Sequence, residues 1–160
     1  MRVDTPSAPT DRLRAFGNQL IDIHLRLRDD LDRVYDALDG EPGAPRDLRA
    51  HCLAFCAAVT SHHTGEDAGA FRVLGARVPE LRPVLAELER DHHVVADALR
   101  AVQALLDDPS TDPARLRAEL DGVAALLETH FRYEEKKLVT ALDALTDGTT
   151  EGLFGLSLES

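Results

Sequence analysis

The sequence predicts an all-α chain whose four long helices pack as an up-down-up-down antiparallel four-helix bundle, followed by a short C-terminal tail. Apolar residues recur at helical spacing in four long segments of the 160-residue chain. No alternating strand pattern competes with them, and loops rich in glycine, proline or aspartate separate them. Because the connections are short, consecutive helices are expected to lie antiparallel around one core.

The first two helices follow a polar, proline-rich lead at residues 1–9, which we expect to be disordered. The first helix is predicted over about residues 11–38, with the pair Thr10–Asp11 as its cap. A run of glycine, proline and acidic residues at 39–45 then breaks the pattern. The second helix is predicted as one element over about residues 46–76.

The last two helices carry proline at their starts. Pro83 suits the first turn of the third helix. The fourth helix is predicted over about residues 113–145, with Asp112 as its N-cap. The bundle is therefore expected to span residues 10–146, which leaves residues 147–160 as the tail.

The composition argues against several classes of partner. A net charge of -11 argues against nucleic acid, whose phosphates need a basic stripe, and against an anionic membrane surface. No apolar run of about 18 residues is present, so neither a membrane span nor secretion is expected. Cys52 and Cys56 are expected to be buried thiols in a reducing cytoplasm. The apolar stretch 152–158 is expected to dock on the bundle, with contact to another subunit in an oligomer as the alternative.

Two histidine–glutamate pairs indicate a metal site. His62 and Glu66 lie four residues apart, as do His130 and Glu134, so each pair projects from one helix face. The repeated spacing favours Glu134 over its neighbour Glu135. Histidines on the other two helices also fall near mid-helix, where antiparallel helices come level. The predicted metal ligands are His24, His62, Glu66, His92, His130 and Glu134.

Helical phase separates the adjacent histidines. His62 and His92 share their faces with apolar residues, whereas His63 and His93 share theirs with polar ones. We therefore expect the latter two at the rim or in the outer shell of the site. A single inward histidine is more often a satisfied core residue. Burying six ionisable groups without a cation, however, would cost roughly several kcal/mol apiece.

The ligand types narrow the choice of metal. Imidazole and carboxylate ligands without thiolate suit iron or manganese and also accept zinc. Two carboxylates are natural bridges between two ions a few ångströms apart. The rival ferritin-like scaffold uses Glu-x-x-His pairs, which this chain matches only at Glu89 and His92.

The ordered ligand series resembles the hemerythrin-like (HHE cation-binding) domain family, in its bacterial branch. The series covers almost the whole chain and consists of His24, His-His-Thr-Gly-Glu-Asp at 62–67, His92, and His-Phe-Arg-Tyr-Glu-Glu at 130–135. The resemblance implies a four-helix bundle that holds two iron ions joined by an oxo or hydroxo bridge. It also implies that the six predicted residues are the ligands and that Glu66 and Glu134 bridge the irons.

One departure from the family pattern bears on function. Oxygen-carrying hemerythrins have a second histidine four residues after the third-helix histidine, where this chain has Ala96. Six obvious ligands remain, and an open position would admit water, peroxide or a side chain. We therefore expect a catalase- or peroxidase-like reaction with hydrogen peroxide in oxidative-stress defence. The alternatives are a module that senses or carries oxygen or nitric oxide or stores iron, and a di-iron oxidase of organic substrates.

Three further residues have candidate roles in such a reaction. His63 and His93 could move protons. Tyr133 follows His130 by three residues, so it could bind the centre or donate a hydrogen bond to a bound oxygen species. Otherwise Tyr133 is a half-buried aromatic residue whose hydroxyl contacts a neighbouring helix.

Overall fold

The computed structural model describes residues 15–40 and 45–158, and the regular elements within these ranges are all helical. This confirms the predicted all-α class. The described residues form six α-helices: α1 (Phe16–Leu38), α2 (Pro45–Ala68), α3 (Ala70–Arg77), α4 (Arg82–Asp107), α5 (Pro113–Asp143) and α6 (Thr150–Phe154). A 3₁₀ turn at Pro79–Leu81 joins α3 to α4. The predicted lead at 1–9 and the cap at Thr10–Asp11 lie outside the described residues.

The four long helices α1, α2, α4 and α5 surround one apolar core. Helix α1 packs against both α2 and α5, and α4 packs against α5 and α2. At the start of α1, the Gly17 N–H donates to Asp143 at the end of α5 over 2.9 Å. Near the opposite ends, the Tyr35 hydroxyl donates to Asp121 over 2.6 Å. These two contacts show that α1 and α5 run antiparallel.

The second predicted helix is broken at Gly69. Helix α2 ends one residue before it and α3 begins one residue after it, and Gly69 itself has φ -110° and ψ -90°. A Cβ atom at Gly69 would lie 2.1 Å from the carbonyl oxygen of Gly152. The prediction of one continuous helix over 46–76 is therefore wrong, because the C-terminal segment packs directly on the backbone at this position.

The predicted starts of the last two helices are confirmed. The Asp112 carboxylate accepts a hydrogen bond from the Ala114 N–H over 3.1 Å and caps α5, whose first residue is Pro113. Pro83 lies in the first turn of α4. Its missing N–H costs nothing there, since the first N–H groups of a helix have no partner within that helix.

The C-terminal segment docks on the bundle, as predicted. Helix α6 packs against α2, α3 and α1. Its Leu153 and Phe154 are 4% and 0% exposed. Contact with another subunit stays a prediction. No helix within residues 15–40 and 45–158 combines the length and apolarity needed to cross a bilayer.

Candidate metal centre

The six predicted ligands lie together inside the bundle, and each is at most 5% exposed. All four long helices contribute. The residues are His24 from α1, His62 and Glu66 from α2, His92 from α4, and His130 and Glu134 from α5. The four-residue spacing on α2 and on α5 turns each histidine and glutamate to the same inner face, as helical geometry requires. Their role as metal ligands remains a prediction.

Nine buried atoms of this cluster find no hydrogen-bond partner in the part of the chain that the structure describes. They are the Nε2 atoms of five histidines and both carboxylate oxygens of two glutamates: His24, His62, His63, His92, His130, Glu66 and Glu134. Buried polar atoms are nearly always paired, because leaving one unpaired costs about 1–3 kcal/mol. Nitrogen and oxygen atoms left unpaired at one place are the donor set that a cation would complete.

These atoms separate into two groups, each of a size suited to one metal ion. The first group holds His63, Glu66, His92 and His130, and the second holds His24, His62 and Glu134. Within each group, one ligand atom from every member lies within 4.8 Å of the others.

The two carboxylates connect the groups. Oε1 of Glu66 lies 3.3 Å from Nε2 of His92 in its own group and 3.5 Å from Nε2 of His62 in the other. Oε1 of Glu134 lies 3.0 Å from Nε2 of His24 and 3.9 Å from Nε2 of His130. Each carboxylate thus faces one imidazole of each group, which is where a ligand that bridges two ions must lie.

His63 is the residue that sequence reasoning misplaced. It was expected at the rim or in the outer shell of the site, but it is 5% exposed and lies among the predicted ligands. Its ring stacks on that of His92 with 3.9 Å between centroids and stands edge-on to that of His130 at 5.0 Å. The half-polar face that Thr60 and Asp67 give this side of α2 concealed its burial. His63 therefore brings a fifth imidazole to the centre.

The second nitrogen of each predicted histidine ligand is held from outside the cluster. Such outer contacts orient a ligating imidazole and direct its free nitrogen to the metal. The acceptors facing Nδ1 are Glu135 for His24 at 2.6 Å, the Phe154 carbonyl for His62 at 2.8 Å, Asp67 for His92 at 2.8 Å and Asp91 for His130 at 3.2 Å. Sequence reasoning missed three of these acceptors and considered Glu135 only as a ligand. The helical pattern says nothing about contacts between different helices.

The electrostatics of the cluster favour a neutral His62 beside a Glu66 carboxyl that resists ionisation, whereas His24 keeps its proton more readily. Burial, and then the neighbouring His24, lowers the pKa of His62 to about 3. Burial, reinforced by the charge of Glu134, raises the pKa of Glu66 well above its usual range. Burial also acts to lower the pKa of His24, but Glu134 and Glu135 outweigh it and raise that pKa. Neutral imidazole is the form that binds a metal, and a cation would stabilise ionised Glu66.

A model of the hemerythrin HHE cation-binding domain matches residues 17–142. The chain belongs to this family. Neither a curated protein nor a solved structure matches the chain. The matched region contains all six predicted ligands and His63, and it ends before α6. It confirms the predicted hemerythrin-like resemblance at the level of the cation-binding domain, and membership of the bacterial branch stays a prediction.

The position where oxygen-carrying hemerythrins have a further histidine is lined here by a small pocket. Ala96 borders a pocket of about 140 Å³ together with His63 and His92, and the exposed His93 also lines it. The pocket therefore extends from the surface to two imidazoles of the first group. The expected location of His93 at the rim is confirmed.

Tyr133 does not join the HHE ligand cluster. Its ring is half-buried, and its hydroxyl donates a hydrogen bond to Glu87 on α4 over 2.7 Å. This contact matches the structural interpretation of Tyr133, in which its hydroxyl meets a neighbouring helix.

Proposed function

We propose that this chain is a cytoplasmic di-iron protein whose four long helices form an up-down-up-down bundle around two bridged ions. The observation that carries the proposal is the set of nine unpaired buried atoms, arranged as two groups with a carboxylate facing both. Mixed imidazole and carboxylate ligands suit iron. Cys52 and Cys56, the cysteines of the chain, are free and buried, which agrees with a reducing compartment.

We assign the six predicted residues as ligands and add His63 to the first group. The first ion then has three imidazoles, from His63, His92 and His130, and the second has two, from His24 and His62. Glu66 and Glu134 are assigned as bridges because each faces both groups.

We propose hydrogen peroxide as the substrate, in a catalase-like reaction. Two irons supply two electrons per cycle, so one peroxide is reduced to two waters and a second is oxidised to oxygen and two protons. The pocket beside Ala96, at about 140 Å³, is smaller than the roughly 300–1,000 Å³ of sites for organic ligands. A small oxidant suits it better than an organic oxidase substrate. His93 at the pocket surface would relay the protons, whereas His63 at its inner end would hold the first ion.

The test is anaerobic purification, metal analysis, and spectra recorded before and after addition of oxygen, peroxide and nitric oxide. We expect two irons per chain and oxygen evolution from peroxide that is lost in His62→Ala. The matched control is His51→Ala, which changes a histidine eleven residues earlier on the same helix, about 16 Å away.

Three outcomes separate the alternatives. A stable oxygen or nitrosyl adduct without turnover would replace the enzyme by a binding module. Release of iron in proportion to loading, without turnover or adduct, would indicate storage. Stoichiometric zinc with less than one iron per chain would rule out every redox role.

A further inference from the structure

A segment outside the matched cation-binding domain reaches the candidate metal centre. Residues 149–157, which we call the C-terminal clasp, follow the matched region, which ends at residue 142. The carbonyl oxygen of Phe154 in the clasp accepts a hydrogen bond from Nδ1 of His62 over 2.8 Å, and this contact is buried. The clasp thus contributes directly to the surroundings of one candidate ligand.

Glycines allow the clasp backbone to lie directly on helix α2. A Cβ atom at Gly65 would lie 2.3 Å from Cα of Gly155. A Cβ atom at Gly155 would lie 2.0 Å from the Ser61 carbonyl oxygen. Gly155 also has φ +75°, in the left-handed region that favours glycine. This backbone-to-backbone contact fixes the preceding Phe154 carbonyl against His62.

Side chains hold the clasp from several sides. Leu153 and Phe154 are 4% and 0% exposed. Thr150 hydrogen-bonds to the buried Gln19 on α1. At the far end, Arg26 donates to the Ser157 carbonyl over 2.8 Å. The clasp is therefore a docked element with contacts to both α1 and α2.

We propose that the clasp positions His62 and thereby controls metal binding by the second group, His24, His62 and Glu134. A carbonyl oxygen can only accept a hydrogen bond, so the Phe154 carbonyl places the proton of neutral His62 on Nδ1 and turns Nε2 to the centre. The other three predicted histidine ligands face carboxylates on α2, α4 or α5. Only His62 among these four depends on the clasp. This inference rests on the proposed metal-binding function.

The test undocks the clasp in two ways. One variant ends at Asp147, and the other is Gly65→Ala, which places a methyl group against the clasp backbone. The matched control is Gly122→Ala in α5, where a Cβ atom would meet nothing within 4 Å. We expect the affinity for one of the two irons to fall about 10–100-fold in both variants, the usual effect of removing an outer contact of a ligand. The affinity for the other iron and both affinities of the control should stay unchanged.

A second readout needs no metal. The ¹⁵N chemical shifts of His62 in the metal-free protein report its tautomer, which should be Nδ1–H in the wild type and mixed in both variants. Two outcomes would overturn the proposal: unchanged tautomer and affinities in both variants, or equal loss of both irons, which would indicate general unfolding. A wild type that binds no metal would defeat the proposed function, while the tautomer measurement would still decide the positioning role.

Discussion

Glu66 offers a test in which the size of a stability change depends on the metal. Its side chain is buried, and neither of its oxygens has a hydrogen-bond partner among the described residues. An acid whose pKa is raised by folding stabilises the folded state below its unfolded pKa and loses that contribution as the pH rises. However far the pKa is raised, the cost at pH 7 cannot exceed about 1.4 kcal/mol for each of the 2.5 units between pH 7 and the ordinary value of 4.5, or about 3.4 kcal/mol. Glu66→Gln removes this cost.

In metal-free protein, Glu66→Gln should therefore raise the free energy of unfolding by up to about 3.4 kcal/mol at pH 7 and by little at pH 4. For a domain of this size, about 2–4 °C per kcal/mol gives a Tm increase of up to about 7–14 °C at pH 7. In iron-loaded protein a second effect opposes this gain. A 100-fold loss of metal affinity removes about 2.7 kcal/mol, which lowers the Tm by about 5–11 °C and cancels most of the increase.

Thermal unfolding of stripped and reconstituted protein, followed by circular dichroism at both pH values, measures these shifts. The control is Glu128→Gln, because this carboxylate is 42% exposed and pairs with Arg28 at the surface. It should leave the Tm nearly unchanged with and without metal. The reasoning is refuted if Glu66→Gln lowers the Tm of the stripped protein at pH 7, or if it raises the Tm of the loaded protein as much as that of the stripped protein.

Two further predictions concern the histidines. His63→Ala should weaken binding of one iron about 10-fold or more, whereas His93→Ala should leave the iron content unchanged; equal iron content in both after chelator challenge would exclude His63 as a ligand. The second prediction concerns metal-free Glu66→Gln. In this variant residue 66 no longer titrates, so its pH dependence, which has the opposite sign, cannot mask that of His62. His62 has a pKa near 3 in the folded state against 6.5 unfolded, so its stabilising contribution is complete above pH 6.5 and is lost as the pH falls. His62 alone should account for a loss of about 2 kcal/mol between pH 7 and pH 5 in urea unfolding. His63 and His130, whose pKa values burial also lowers, should add to this loss, and His24, whose pKa is raised, should offset part of it. A flat profile would contradict the shift.

The helices and most of the centre could be predicted because they depend on local periodicity. Spacing of four on α2 and α5 turns His62 with Glu66, and His130 with Glu134, to the same side, and the apolar neighbours show that this side is the inner one. Caps are equally local, which is why Asp112 was placed correctly. These features need no knowledge of which helices are neighbours.

Features that arise between helices could not be predicted in this way. The break at Gly69 lies directly against a carbonyl more than 80 residues later in the chain. The outer acceptors Asp67 and Asp91 come from helices other than those of their histidines. The location of His63 could not be predicted for a related reason. Phase assigns a residue to a face, but two neighbouring helices can bury a wider arc than the apolar stripe alone indicates.

The burial of His63 changes what can be inferred from the alanine at position 96. With alanine at that position, the sequence suggested a centre that is one ligand short beside His92. The structure instead places His63 against His92 from the adjacent helix, so the first group has three imidazoles and the second has two. The nitrogen-poor group is therefore the one that contains His24 and His62. That group is also the one whose imidazole, His62, is held by the C-terminal clasp, whereas the pocket beside Ala96 reaches the first group.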